Sequence, residues 1–283
     1  MRYRFLRFPE GKGRAVTFSY DDGVRQDLRL AEIFDRFGVK GTFNLVNRVQ
    51  SKQLSPEEVR EHLLDKGHEV AVHGARHRAP GTLRPIEGIR DCLDCRLELE
   101  ELYGRIIRGM AYPDTGITRM TADTSYPQIK QYLTELDIAY CRTLSGDNNS
   151  FMLPTDWHAW MPSAHHNNSK IMEYIDKFLA EDPTDTSIYG ATRDPRLLYI
   201  WGHSYEFDND NNWDRIERIL EKLAGREDIW YATNIEICDY VKAYNNLIYS
   251  ADGRRVYNPT ATTVWFDVDK KLYSVRPGEE ITV

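Results

Sequence analysis

No stretch of this chain approaches the roughly 18 consecutive apolar residues that a membrane-spanning helix needs. Its beginning, Met1 to Glu10, carries Arg2, Arg4 and Arg7 but lacks the apolar centre of a signal peptide. A cytoplasmic location with no membrane association is therefore the expectation. Positive charge is also short: 37 Lys and Arg stand against 44 Asp and Glu, a net charge of -7. Nucleic-acid binding has no electrostatic support on that balance. Cysteine is scarce: four occur, Cys92, Cys95, Cys141 and Cys238. Cys92 and Cys95 form one C-x-x-C pair, but no second pair exists and the segment reads as an amphipathic helix, so they are taken as ordinary helix residues. Two sequons, at Asn148 and Asn167, carry little meaning without a secretory signal. Internal repeats and low-complexity tracts are absent.

What the sequence does have is alternation. With 283 residues, 41% hydrophobic and 29% charged, the chain is long enough for one α/β barrel or two smaller domains. Short apolar runs predict strands over 15–19, 41–46, 69–72, 109–112, 138–142, 197–201 and 229–233. Amphipathic stretches predict helices over 26–37, 56–66, 85–103, 126–136, 169–179, 213–224 and 235–244. Ser55-Pro56-Glu57-Glu58 has the composition of a helix start, and Gly38 and Gly67 stand where helices should stop. Seven β/α repeats argue for a parallel sheet, open or closed into a barrel, with chemistry at the carboxyl ends of the strands. Asp21-Asp22, His73, Pro113-Asp114 and His203 all follow predicted strands directly. Two regions break the pattern. Residues 145–168 read as a long aromatic loop with Trp157, His158, Trp160, His165 and His166. Residues 251–283 read as a small β tail after a barrel spanning 1–250, with a turn at Ala251-Asp252-Gly253.

One carboxylate of the Asp21-Asp22 pair and the imidazoles of His73 and His77 make a ligand set for a borderline divalent cation and leave the other aspartate free as a base. The four-residue spacing of the histidines suits one face of a helical turn. Taken singly, Asp21-Asp22-Gly23 also reads as an ordinary turn and His73/His77 as a surface pair. Together with His203 at another strand end they point to a metal-dependent hydrolase. Glu206 reads equally as a substrate ligand or a turn cap. His165-His166 have no carboxylate nearby in sequence and are assigned to substrate or loop roles in preference to metal. Trp157, Trp160 and Trp201 suit either the apolar face of a sugar or the core.

At these residues the chain resembles the polysaccharide deacetylase family, the carbohydrate esterases with a NodB homology domain. The family's T-F-D-D-G is matched by Thr17-Phe18-Ser19-Tyr20-Asp21-Asp22-Gly23, two residues longer before the acids. Its H-[ST]-x-x-H is matched by His73-Gly74-Ala75-Arg76-His77. Its R-P-P-[FY]-G corresponds to Met110-Ala111-Tyr112-Pro113-Asp114-Thr115-Gly116, and a terminal L-x-I-x-x-H to Leu198-Tyr199-Ile200-Trp201-Gly202-His203. The resemblance covers roughly residues 13–245. It implies a distorted (β/α)7 barrel and metal-dependent hydrolysis of an N-acetyl group on a carbohydrate, with one divalent ion, Zn2+ by preference. Asp21 would be the general base and His203 the general acid. Asp22, His73 and His77 would bind the ion, and the backbone N–H of Asp114 after Pro113 would face the oxyanion. Tyr112, Trp157, Trp201 and Glu206 complete the expected substrate site. Two positions depart from the family. Ala111 stands where an arginine orients the base, with Arg108 three residues earlier. Asp156-Trp157 is the best local match to the family's Asp/Trp cluster. The altered third motif motivates a second enzyme reading, hydrolysis of a cyclic amide or ureide. A silent carbohydrate-binding module and a two-histidine iron oxygenase are further alternatives, the last disfavoured by the β/α alternation.

Overall fold

The computed structural model describes residues 2–46, 53–121, 123–144, 148–188 and 193–283. A short strand, β1 (Arg4–Arg7), precedes the barrel. Seven strands follow: β2 (Arg14–Asp21), β3 (Thr42–Leu45), β4 (Glu69–Val72), β5 (Gly109–Ala111), β6 (Tyr140–Arg142), β7 (Ala164–His165) and β8 (Arg196–Gly202). They run in the order β6-β5-β4-β3-β2-β8-β7, every pairing parallel. β9 (Ile229–Tyr231) pairs with the beginning of β2. The first half of β2 thus lies between β8 and β9, and its last residues lie between β8 and β3. With its outer helices the curled sheet is a distorted (β/α)7 barrel.

Strand periodicity explains the core. All eight residues of β2 are buried, and their alternation separates two environments. Val16, Phe18 and Tyr20 join the larger apolar cluster under the helices, where Phe18 and Tyr20 meet the Phe34 ring at 4.9 and 5.9 Å. Thr17, Ser19 and Asp21 form the other face. Thr17 Oγ1 hydrogen-bonds Asn234 Oδ1 at 2.8 Å, and Ser19 Oγ accepts from Asn44 Nδ2 at 2.8 Å. A second apolar cluster, including Ala15, Tyr140, Trp160, Tyr199 and Ile237, fills the barrel towards the strand beginnings. The helix Asn234–Asn245 packs there, and the Ile235 N–H donates to the buried Glu69 carboxylate at 2.9 Å.

Helices Gln26–Phe37 and Pro85–Tyr103 occupy the expected ranges. Each ends at a glycine in the left-handed region, Gly38 (φ 68°) and Gly104 (φ 65°). The expected helix over 56–66 is not one regular helix. A Ser55–Glu58 capping box starts an α-helical turn, Pro56–Val59, which widens into a π-helical segment, Arg60–Leu64. The expected long loop over 145–168 also needs correction. Its described part holds a 3-10 turn at Trp157–Ala159 and the strand β7, too short for periodicity to reveal.

In the tail, β12 (Val264–Val268) pairs antiparallel with β1 and with β13 (Lys271–Val275). A second small sheet joins β10 (Ile248–Tyr249), β11 (Arg255–Tyr257) and β14 (Glu280–Thr282). The buried Asp267 carboxylate accepts two hydrogen bonds from the Arg193 guanidinium, at 2.8 and 3.1 Å, tying the tail to the segment that leads into β8.

Candidate active site

Each of β2 to β8 contributes a polar group at or just past its carboxyl end. Asp21 closes β2, Arg142 closes β6 and His165 closes β7. Asn44 lies in β3, His73 follows β4, the carbonyl of Ala111 ends β5, and His203 follows β8. Short loops carry the remaining groups, and they hold unusual backbone. Asp22 (φ 84°), His77 (φ 51°) and Asp114 (φ 51°) are all non-glycine residues in the left-handed region. Such conformations cost about 1–3 kcal/mol each and gather at functional sites.

Asp22, His73 and His77 come together, but not on a helical turn as their spacing suggested. Residues 73–77 form an irregular loop through Gly74 (φ 81°), where a Cβ would crowd the Asp91 carboxylate. That contact explains a glycine where the family motif has serine or threonine. Asp91 in turn accepts from the Arg76 N–H at 2.8 Å and fixes the loop. Asp22 Oδ1 stands 3.5 Å from His73 Nε2 and 3.2 Å from His77 Nε2. His73 Nδ1 lies 2.9 Å from the Ala111 carbonyl, which requires Nδ1 to carry the proton and frees Nε2 as a donor of electrons. Burial works to raise the Asp22 pKa, but the hydrogen bonds from His73 and His77 outweigh it and hold the carboxyl well below its usual range. His77 is shifted upward, chiefly by its bond to Asp22. Three donors that converge on one point, one anionic and two imidazole, fit a divalent ion.

Asp21 is fully buried beside this set. Its Oδ2 pairs with the Arg142 guanidinium, and its Oδ1 accepts from Asn44 Nδ2 at 2.8 Å. Arg142 lies over the Trp201 ring at 4.3 Å. The position of the family's base-orienting arginine, Ala111, is therefore served from the next strand: Ala111 and Arg142 are register partners on β5 and β6. The sequence carried a signal for this, an arginine closing the apolar run 138–141 at a predicted strand end.

His203 Nε2 faces the acids at 4.0 Å from Asp21 Oδ2 and 4.0 Å from Asp22 Oδ2. Its Nδ1 faces Glu206 Oε1 at 3.4 Å. Burial works against its proton, but Glu206 and the two aspartates outweigh it and shift His203 above the usual histidine range. His165 and His166 do have a carboxylate partner, contrary to the sequence reading. Both Nε2 atoms lie 3.1 Å from Glu206 Oε2, across forty residues of chain. Burial opposes ionisation of Glu206, yet its three imidazole neighbours hold its pKa well below the usual range. Burial lowers His166 to about 4.

The other expected residues spread out. Trp201 meets His165 edge-on at 4.7 Å and His203 at 5.9 Å, inside the site. Tyr112 is buried, and its hydroxyl donates to the His158 carbonyl at 2.8 Å, a structural role under the Pro113 turn. Asp114 is exposed at that turn near His77. Trp157 packs edge-on against Trp160 at 4.9 Å, on the inner apolar cluster. Asp156 accepts from Tyr126 and Lys130 and caps the turn at His158, while the carboxylate that faces His203 Nδ1 is Glu206. Cys92 and Cys95 are buried free thiols, and burial pushes both up, Cys92 to about 12. A cleft of ≈ 490 Å³ opens over the donors, lined by Asp22, His77, Val24, Gln26, Val46 and Tyr205 among others.

The sequence profile described as polysaccharide deacetylase matches residues 9–131, the segment that carries Asp21, Asp22, His73, His77 and Asp114. Over that segment the sequence is similar to the polysaccharide deacetylase family. Solved structures share the fold. A protein from Mycobacterium smegmatis provisionally named a polysaccharide deacetylase is 19% identical with a TM-score of 0.58, over 85% of this chain and 94% of that one. The PuuE allantoinase is 14% identical with a TM-score of 0.57, over 82% of this chain and 91% of that one. The Xyl-CE4 domain of a multidomain xylanase, from the hindgut metagenome of Trinervitermes trinervoides, is 16% identical with a TM-score of 0.52, over 86% and 99%. No curated protein matches the chain. Among the described residues, no helix is long and apolar enough to cross a membrane.

Proposed function

We propose that the chain is a divalent-metal-dependent hydrolase that removes N-acetyl groups from an acetylated sugar, with Zn2+ as the ion. The observation that carries this reading is the convergence of Asp22, His73 and His77 at donor separations of 3.5 and 3.2 Å, beside an aspartate held by an arginine. These three residues would hold the ion, which when bound supplies Lewis-acid polarisation of the acetyl carbonyl and a more acidic attacking water. Asp21 takes the proton from that water. Arg142 and Asn44 engage one carboxylate oxygen each, so the base is fixed in one orientation. An amide nitrogen leaves poorly unless protonated, and His203, facing the acids through Nε2, delivers that proton. Glu206 beside Nδ1 favours the charged form of the imidazole. The Asp114 N–H after Pro113 faces the oxyanion, and Trp201 gives the sugar an apolar face.

The departure at Ala111 that motivated hydrolysis of a cyclic amide is met by Arg142, so the acetamide reading is favoured. The test is acetate release from N-acetylglucosamine oligomers by chelated and Zn2+-restored protein, with a cyclic ureide in parallel. Zn2+-dependent acetate release is the expected result. Turnover of the ureide alone would shift the assignment to that alternative. Sugar binding without release of acetate would mark a silent binding module.

A further inference from the structure

A second group of donors lies a few ångströms across the barrel mouth. One atom from each of His165, His203 and Glu206 lies within 4.8 Å of the other two. His165 Nε2 is 3.1 Å from Glu206 Oε2, and His203 Nδ1 is 3.4 Å from Glu206 Oε1. Ligands at ~2.1 Å from a tetrahedral ion stand about 3.4 Å apart. The edges of this group match that spacing as closely as the 3.2 and 3.5 Å edges of the Asp22 set. Behind it, His166 is fully buried, its Nδ1 lacks a hydrogen bond, and its Nε2 lies 3.1 Å from Glu206 Oε2. His203 Nδ1 also lacks a hydrogen bond. The fold makes room for this crowding. The His166 ring stacks on Phe207 at 4.2 Å and on Tyr20 at 5.6 Å, and a Cβ at Gly202 would overlap it. A ring nitrogen buried without a partner costs free energy, and an imidazole pressed against a carboxylate that already meets two others marks a place built for something besides a proton.

We propose that His165, His203 and Glu206 form a second divalent-cation site, separate from Asp22, His73 and His77. Its occupancy takes Glu206 and Nδ1 of His203, so that the ring can no longer be the imidazolium that gives up the Nε2 proton; resting on the acetamide reading above, excess metal therefore inhibits. Zn2+ is the probe. Equilibrium dialysis of the chain against rising free Zn2+, with metal quantified per chain, should saturate at two equivalents, the second weaker. His165→Ala and Glu206→Gln should each stop at one, while His77→Ala should keep the weaker one. Where acetate release is measurable, turnover of the unsubstituted protein should fall as the second equivalent binds, and that of His165→Ala should not. Saturation of the unsubstituted chain at one equivalent, or a second equivalent that survives both substitutions, overturns the site. The dialysis decides this even if no acetylated sugar is a substrate, so failure of the functional reading and failure of the second site are separable.

Discussion

The two sides of the barrel mouth are assembled differently. On the β2–β4 side, Asp21 and Asp22 are adjacent, and His73 and His77 share one five-residue loop. Backbone strain at Asp22 and His77 and the Gly74 turn aim these side chains at one point. On the β7–β8 side, His165 and His166 meet Glu206 only because β7 and β8 are neighbours and a five-residue helix, Tyr205–Asn209, starts directly after β8. The first side is written in contiguous residues, while the second exists only once the sheet has closed. Sequence motifs report the former well and the latter poorly, and the same division should govern how each side fails when it is perturbed.

The largest effect is expected from the first side. His73→Ala or His77→Ala should abolish stoichiometric metal at the Asp22 site and reduce turnover to background; full metal content in both variants would refute the ligand set. Next comes the base that sits between the sides. Asp21→Asn should lower kcat by about 10²-fold or more with metal content nearly intact. Arg142→Lys keeps the charge but loses the planar fork that grips Asp21 and lies over Trp201, so it should lower kcat by a smaller factor with KM little changed. Near-normal kcat in either variant would remove Asp21 from its role.

The second side should show itself in pH. His203 is shifted upward, so its proton persists past the ordinary imidazole value of ~6.5, and activity should fall on the alkaline side only above that point. His203→Ala should flatten the alkaline limb and slow amides more than esters, because an alkoxide leaves with less help than an amine. Equal slowing of both would leave His203 a binding or structural residue. The smallest effect concerns a link between the sides. Ser204, next to His203, donates to the buried Asp27 carboxyl at 2.6 Å. Burial raises Asp27 to about 7 despite that bond. The folded chain then holds a proton that the unfolded chain loses near ~3.9, so this contribution to stability is full below that value and is lost as pH rises towards 7, amounting to about 4 kcal/mol at most. Glu69, raised by burial to about 7, adds a slope of the same sign. Asp27→Asn should reduce the fall in Tm between acid and neutral pH, and an unchanged slope would show that Asp27 ionises normally.

The sequence made the barrel legible because β2, β4 and the helices Gln26–Phe37 and Pro85–Tyr103 carry clean periodicity and clear stop signals. β7 escaped because two residues have no period. The donors Asp22, His73 and His77 were legible by type and spacing, although their loop was not, since nothing in the spacing distinguishes a helical turn from a left-handed excursion at Gly74. Arg142 belongs to no motif of its own, because its guanidinium reaches Asp21 from the strand next to the third motif. Glu206 was ambiguous for a related reason: its partners His165 and His166 are about forty residues away, and only the β7–β8 pairing brings them near.

The insertion of β9 beside the start of β2 has a kinetic meaning. β2 is buried at every residue and hydrogen-bonded along both edges, by β8 on one side and by β9 and then β3 on the other. Its amides should exchange with solvent only through global opening, whereas those of Tyr205–Asn209, a single short helix at the rim, should exchange through local fraying. Asp21 is thus mounted on the last element to open and Glu206 on one of the first. On the proposed mechanism, mild heat or denaturant should therefore disable proton delivery by His203 while Asp21 is still in place to activate water.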